Sequence, residues 1–346
     1  MEGKRQEIVE LYMTSKADVG KVVDSLILKL KTYLVGNKND REMRYMLLKL
    51  ETVQLSCLQD SHQACVDKIR PMFEDLLVCP NITYLEMTFL SRLIEVSPTY
   101  DMMLQCEKLV LDQVETKYRD HKKYVSIKFS LSVNILARLI KAKYPSLNAM
   151  ATEGDRNKID ALFTHHLAFA REVAERNNLD DWLALLNMRE GIFYLKPKLV
   201  DKGITWLRDK GLDGLFPTAL DELIKYYPYF EDDLTSTMLN LMTGYWVRKA
   251  MEAKKITVES VAHCIGLGEA TTHKNLNGLG FKQVHLHKLA KMFDVDANVL
   301  TYGPAHLHPN LGDEWDQMLA QLTNTYRGRN IKGKEKLMSL LKAVVD

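Results

Sequence analysis

Ile256-Thr-Val-Glu-Ser-Val-Ala-His-Cys-Ile-Gly-Leu-Gly-Glu-Ala-Thr-Thr-His-Lys-Asn-Leu-Asn-Gly278 is the stretch whose reading decides the fold. It divides into two short helical segments on either side of Gly266. Thr257 precedes the first segment and carries the hydroxyl that an N-cap needs. Ala262 is small enough to let a second helix cross closely. Gly266, four residues later, suits the left-handed backbone on which many helices end. A third helix follows with Val284, Leu286, Leu289, Ala290 and Phe293 apolar, and then Val295-Asp-Ala-Asn-Val-Leu300. This is the outline of a helix-turn-helix, and it points to nucleic-acid binding rather than catalysis.

Outward from this stretch, nearly every segment has helical periodicity and strand-like alternation is almost absent. The chain reads as all-α. Helices are expected near 5–14, 18–34, 40–57, 61–77, 82–95, 98–116, 121–143, 156–177, 180–194, 200–210, 217–226 and 230–253. Lengths of 10–25 residues with short joints are the pattern of stacked helical hairpins, here a degenerate, repeat-like array. Prolines mostly stand at helix starts or in joints. Asn81 is placed to cap a helix from Ile82, and Ser97 to cap one from Pro98. Three parts are expected: residues 1–235 as a helical dimerisation or sensor domain, 236–304 as a five-helix helix-turn-helix domain, and 305–346 as a helical tail. The tail has helices near 312–326 and 331–345 around a basic connector, 327–336. The 230–253 helix would belong to both larger parts. Its Gly244 reads as a weak point, about 1 kcal/mol less favourable than Ala in a helix interior.

The 346 residues are 46% apolar, enough for a sizeable core, and the net charge is only +2. Contact with nucleic acid must therefore come from a local patch. Between 241 and 304 there are eight basic and five acidic residues, a local balance of +3. The five cysteines form no CxxC pair, lie on apolar helical faces and read as reduced core thiols of a cytoplasmic protein. The N-terminus begins Met1-Glu-Gly-Lys-Arg without the apolar run of a signal peptide. No segment approaches the roughly 20 apolar residues that span a bilayer, so no membrane partner is expected.

Metal and cofactor signals are weak, and none is expected. His165-His166 diverge by about 100° on a helix, and His285 and His287 also point to different faces, which places both pairs on the surface. His306 and His308 lie in a loop without partner ligands. No glycine-rich phosphate loop or GxSxG is present, and the carboxylates are scattered as on solvated helix faces, so no enzyme is expected. Sixteen methionines include Met102, Met103, Met238 and Met242, which could line an adaptable groove but more simply fill core.

Residues 241–304 resemble the Cro/CI-like (XRE-type) helix-turn-helix family. The resemblance rests on Thr257, Val261-Ala262, Gly266, Asn277-Gly278, Leu289-Ala-Lys-Met-Phe-Asp-Val295 and Val299-Leu-Thr-Tyr-Gly303. It implies a recognition helix at about 268–276 that enters the major groove of duplex DNA. It also implies that Glu269, Ala270, Thr271, His273 and Lys274 face base edges, with Arg248, Lys249, Asn277 and Lys282 near phosphates. The chain departs from the family at Thr272 and Asn275, which are usually aliphatic, and at Leu276, which is commonly an acid. The recognition helix also lacks Arg and Gln.

Parts of the first 240 residues resemble the helical-repeat regions of Rgg-type peptide-sensing regulators, through 129–140, 187–194 and 204–211. In those regulators the DNA-binding domain comes first, and here it comes last. The resemblance implies a peptide or protein ligand, with Asn134, Arg138, Arg171, Asn187 and Arg189 as candidate binders. Two functions are thus open: a dimeric DNA-binding transcription regulator, or a helical adaptor (a phage or plasmid interaction protein) that uses a degenerate helix-turn-helix for protein docking.

Overall fold

The computed structural model describes residues 2–14, 19–56, 62–79, 81–120, 123–144, 153–211, 214–230 and 233–303. Among them are sixteen α-helices and no strand. No described helix is long and apolar enough to cross a membrane. The expected helices at 312–326 and 331–345, the connector 327–336, His306 and His308 lie outside the described residues. The helices form two compact units, α1–α8 and α9–α16. The second unit takes in α9–α11 as well as α12–α16.

The first unit comprises α1 (Glu2–Thr14), α2 (Val19–Gly36), α3 (Arg41–Ser56), α4 (His62–Leu77), α5 (Tyr84–Leu93), α6 (Tyr100–Lys117), α7 (Tyr124–Lys143) and α8 (Glu153–Arg176). Sequential neighbours pack as hairpins around Met43, Met46, Ile69, Met72, Phe73, Phe89 and Met103, all fully buried. Pro71 stands inside α4 rather than at a joint. The caps differ from expectation. Thr83, not Asn81, caps α5 in a reciprocal capping box with Glu86. Thr99, not Ser97, caps α6 by accepting from Met102 N–H at 3.1 Å. Glu86 is fully buried, and Arg41 grips it through Nε–Oε1 at 2.5 Å and Nη2–Oε2 at 2.8 Å.

His166 is not a surface residue. It is buried between Glu107 Oε1, 2.9 Å from Nε2, and Ser132 Oγ, 3.1 Å from Nδ1, and so ties α6, α7 and α8 together. His165, one residue away, is exposed as expected. Cys65 and Cys106 are buried, and burial pushes the Cys106 thiol up to about 12. Cys79 and Cys264 are only half-buried.

The second unit begins with α9 (Asp180–Phe193) and α10 (Pro197–Lys210), a hairpin packed backbone to backbone, followed by α11 (Phe216–Tyr226). A Cβ on Gly191 would lie 2.6 Å from Val200 N, and one on Gly203 would lie 2.9 Å from Met188 N. Then come α12 (Ser236–Lys254), α13 (Val258–Ile265), α14 (Glu269–Lys274), α15 (Gln283–Phe293) and α16 (Ala297–Tyr302). The start of α12 falls later than the expected 230, because Thr235 caps it and accepts from Met238 N–H at 3.2 Å. The core of α12–α16 is formed by Val247, Met251, Val261, Ile265, Leu276, Leu286, Leu289, Phe293 and Leu300. Met238 and Met242 are core as well. Val284 belongs to the exposed face of α15, not to the apolar set expected for it.

Gly244 is not a hinge. The wide turn Asn275–Leu279 that ends the α14 helix lies directly on α12 at this residue. A Cβ there would overlap the Leu276 carbonyl oxygen and lie 2.8 Å from its carbon and 3.3 Å from Asn275 O. The obstacle is backbone, which cannot rotate away. Gly244→Ala is therefore expected to lower the stability of the second unit by about 2 kcal/mol despite the better helix propensity of Ala. Urea unfolding of the full chain checks this, and a gain in stability would contradict the packing described.

In the first unit, Lys49 is 7% exposed, with its ammonium 5.4 Å from the Phe89 ring centre. Burial, helped by Arg92, pushes its pKa down to about 7. The unfolded chain, with a lysine near about 10.4, takes up a proton over an interval in which the folded protein does not. Stability should therefore fall as pH drops from about 10 to about 7 and level off below that. Lys49→Met is expected to flatten this slope and stabilise the protein at pH 7 by on the order of 3 kcal/mol. Unfolding measured at pH 7, 8 and 9 gives the answer, and an unchanged slope in Lys49→Met would assign it to another group.

Candidate nucleic-acid interface

Thr257 caps α13, its hydroxyl accepting from Ser260 N–H at 3.3 Å. Gly266 ends α13 at φ +75° in the left-handed region. The Ala262 carbonyl accepts from both Gly266 N–H at 2.9 Å and Leu267 N–H at 3.0 Å, which closes the turn. Gly268 then opens α14 in extended conformation. α14 presents one exposed face and one buried face. Glu269, Ala270, Thr271, His273 and Lys274 are all exposed. Thr272, Asn275 and Leu276 are 0%, 5% and 3% exposed. The three positions that depart from the family pattern are thus packing positions. Thr272 reconciles its hydroxyl with burial by donating to Gly268 O at 3.1 Å.

The α14 helix ends at Asn277, φ −93° and ψ +17°, and Gly278, φ +100°. Its terminal carbonyl at Leu276 has no further helical turn to bond to. Arg248 supplies the missing donor: Nη1 gives hydrogen bonds to Leu276 O at 2.6 Å and Asn277 Oδ1 at 3.0 Å. Arg248 is thus half-buried and committed to the α14 helix end, not free at a phosphate. Burial lowers its pKa, partly offset by Glu252 and Tyr245, and it remains charged at any physiological pH. Beside it, a shallow cleft brings together Lys255, His273 and Asn277 over Met251 and Leu276.

Lys282 is exposed at the start of α15. Lys249 is half-buried, 3.3 Å from Glu252 Oε2, with its ammonium 5.6 Å from the Tyr245 ring centre. On α15, burial and the cations Lys282 and Lys288 lower the pKa of His285, so its ring is neutral near pH 7. His287 Nδ1 lies 2.8 Å from Gln283 O. Among the described residues no three His, Cys, Asp or Glu side chains gather as a metal site.

The candidate ligand binders are divided between the two units, three in the first and two in the second. Asn134 donates to Ser91 O at 2.9 Å and Arg138 to Ser97 Oγ at 3.2 Å, both within the first unit. Arg171 is half-buried in the same unit. Arg189, in the second unit, is buried and grips Glu222, with Nε 3.1 Å from Oε1 and 3.0 Å from Oε2. Asn187 is half-buried two residues before it. The contact of Arg248 with Leu276 and Asn277, which holds the end of the α14 helix, is one that sequence reading misses, since it has no local signature. No family model matches the chain, and neither a curated protein nor a solved structure does.

Proposed function

We propose that the second unit reads duplex DNA with the exposed face of α14, and that the protein is a transcription regulator acting as a homodimer. The observation that carries this reading is the partition of α14. All five positions that the family resemblance aims at base edges are exposed, while Thr272 among them and Asn275 and Leu276 after them are buried. Lys274 and His273 would donate to guanine O6 or N7, and Glu269 would accept from cytosine N4. Lys282 and Lys249 are the phosphate candidates. Arg248 acts as a positioning residue that holds the end of the recognition helix. A dimer suits the reading because one such helix covers a half-site, and a two-fold operator matches a two-fold protein.

A protein-docking role is the second reading. It is favoured by Leu279 and Val284, 64% and 57% exposed, which flank the end of the recognition helix. The two readings separate on salt. A DNA reader making about six phosphate contacts loses affinity with a log–log slope near −5. A docking module shows no affinity for duplex DNA at about 50 mM salt.

Lys274→Ala is expected to weaken a duplex selected from a random pool by about 1–3 kcal/mol, and random duplex by much less. Fluorescence anisotropy at two salt concentrations measures both. Equal losses on the two duplexes would make Lys274 a phosphate contact, and no binding of the wild-type chain to any duplex would leave the docking reading.

A further inference from the structure

The last turn of α10 lies outside the helix-turn-helix in sequence, yet it reaches the turn that closes the recognition helix. Arg208 binds its neighbour Asp209 with one edge of the guanidinium, Nε and Nη2 each lying 3.0 Å from Asp209 Oδ1. Nη1 is left over. It lies 3.6 Å from where a Cβ would stand on Gly278 and meets no protein acceptor among the described residues. Gly278 follows Asn277 and precedes the exposed Lys282. Lys210, two residues after Arg208, is exposed as well.

Cations in the last turn of a helix favour its negative end whatever else they do. That accounts for Lys210. Arg208 has the same dipole available, but its guanidinium also stands beside another segment, at Gly278. The Arg208 side chain is 24% exposed, with one edge held by Asp209 and Nη1 beside the turn at Gly278, so it is oriented in advance, and its fixed charge and planar fork suit a phosphate oxygen.

We propose that Arg208 is a DNA-backbone contact supplied from outside the motif, binding the phosphate that passes the C-terminal end of the recognition helix. This rests on the reading of α14 as a DNA-recognition helix. α10 then widens the footprint beyond the 60-odd residues of the helix-turn-helix and adds affinity without sequence preference.

The test uses the full chain and the selected duplex. Arg208→Gln should weaken binding about fivefold to tenfold at about 100 mM salt, equally on selected and random duplex. It should also make the salt slope shallower by about 0.9 per bound chain. Arg208→Lys should keep the slope, since a point charge serves a phosphate. Replacing single phosphates by neutral methylphosphonates should reveal one position that weakens the wild type and leaves Arg208→Gln unaffected. Wild-type affinity and slope in a folded Arg208→Gln, or no such position, would overturn the proposal while leaving the α14 reading intact. A wild-type chain that binds no duplex would remove both. If Arg208→Gln fails to fold, Asp209→Asn decides. Freeing the guanidinium and removing a nearby negative charge should tighten binding severalfold, and no gain would overturn the proposal.

Discussion

The carbonyl group of Leu276 is where the second unit is fastened. It is the last carbonyl of the α14 helix, left without a helical donor because Asn277 and Gly278 turn the chain away. Two residues of α12 complete it. Gly244 has no side chain, so the carbonyl can press onto the α12 backbone, and Arg248, one turn later, donates to it at 2.6 Å. A small residue and a long cation on the same helix face thus make a socket for a helix end. The positive charge sits at the negative pole of the helix, where it is favourable, so geometry and electrostatics agree. Burial of Leu276, and with it the outward face of α14 from Glu269 to Lys274, follows from this seat.

The burial of Thr272, Asn275 and Leu276 makes sense in the same terms. An acid where Leu276 stands could pair with a cation such as Arg248. Here the backbone carbonyl of Leu276 and Asn277 Oδ1 take that part, and the leucine side chain joins the core. Thr272 and Asn275 are buried where aliphatic residues are usual. These exchanges fall on the inner face. The chemistry of the outer face is a separate matter: one acid, one lysine, one histidine, a threonine and an alanine, with little net charge of its own.

Helix positions were legible in the sequence because they rest on periodicity and on local capping chemistry. Thr257 and Gly266 were readable for that reason. Where two capping residues stood close together, the local signal was ambiguous. Thr83 outcompetes Asn81 because Glu86 lies three residues on and completes a capping box, and Thr99 outcompetes Ser97 because α6 begins at Tyr100, while Ser97 ends the preceding turn. Partnerships across the fold had no sequence signature. Gly244 looks like any weak helix residue until the Leu276 carbonyl is seen against it. His166 looks like half of an exposed pair until Glu107 and Ser132 close on it from two other helices. Arg138 and Arg189 looked like ligand binders because a cation on a helix has the same sequence signature whether it faces solvent or a buried acceptor.

Helices α9–α11 belong to the same compact unit as α12–α16. Thr235, the cap of α12, donates to Asp201 on α10 at 3.0 Å. Tyr227, just after α11, donates to the carbonyl of Tyr302 at the end of α16. Arg208 on α10 stands at Gly278. The entrance of α12 and the end of α16 are therefore each tied by a hydrogen bond to residues that precede them in sequence. A motif held only at one end could swing on its linker. The stretch α12–α16, tied at both of its ends, lacks that freedom.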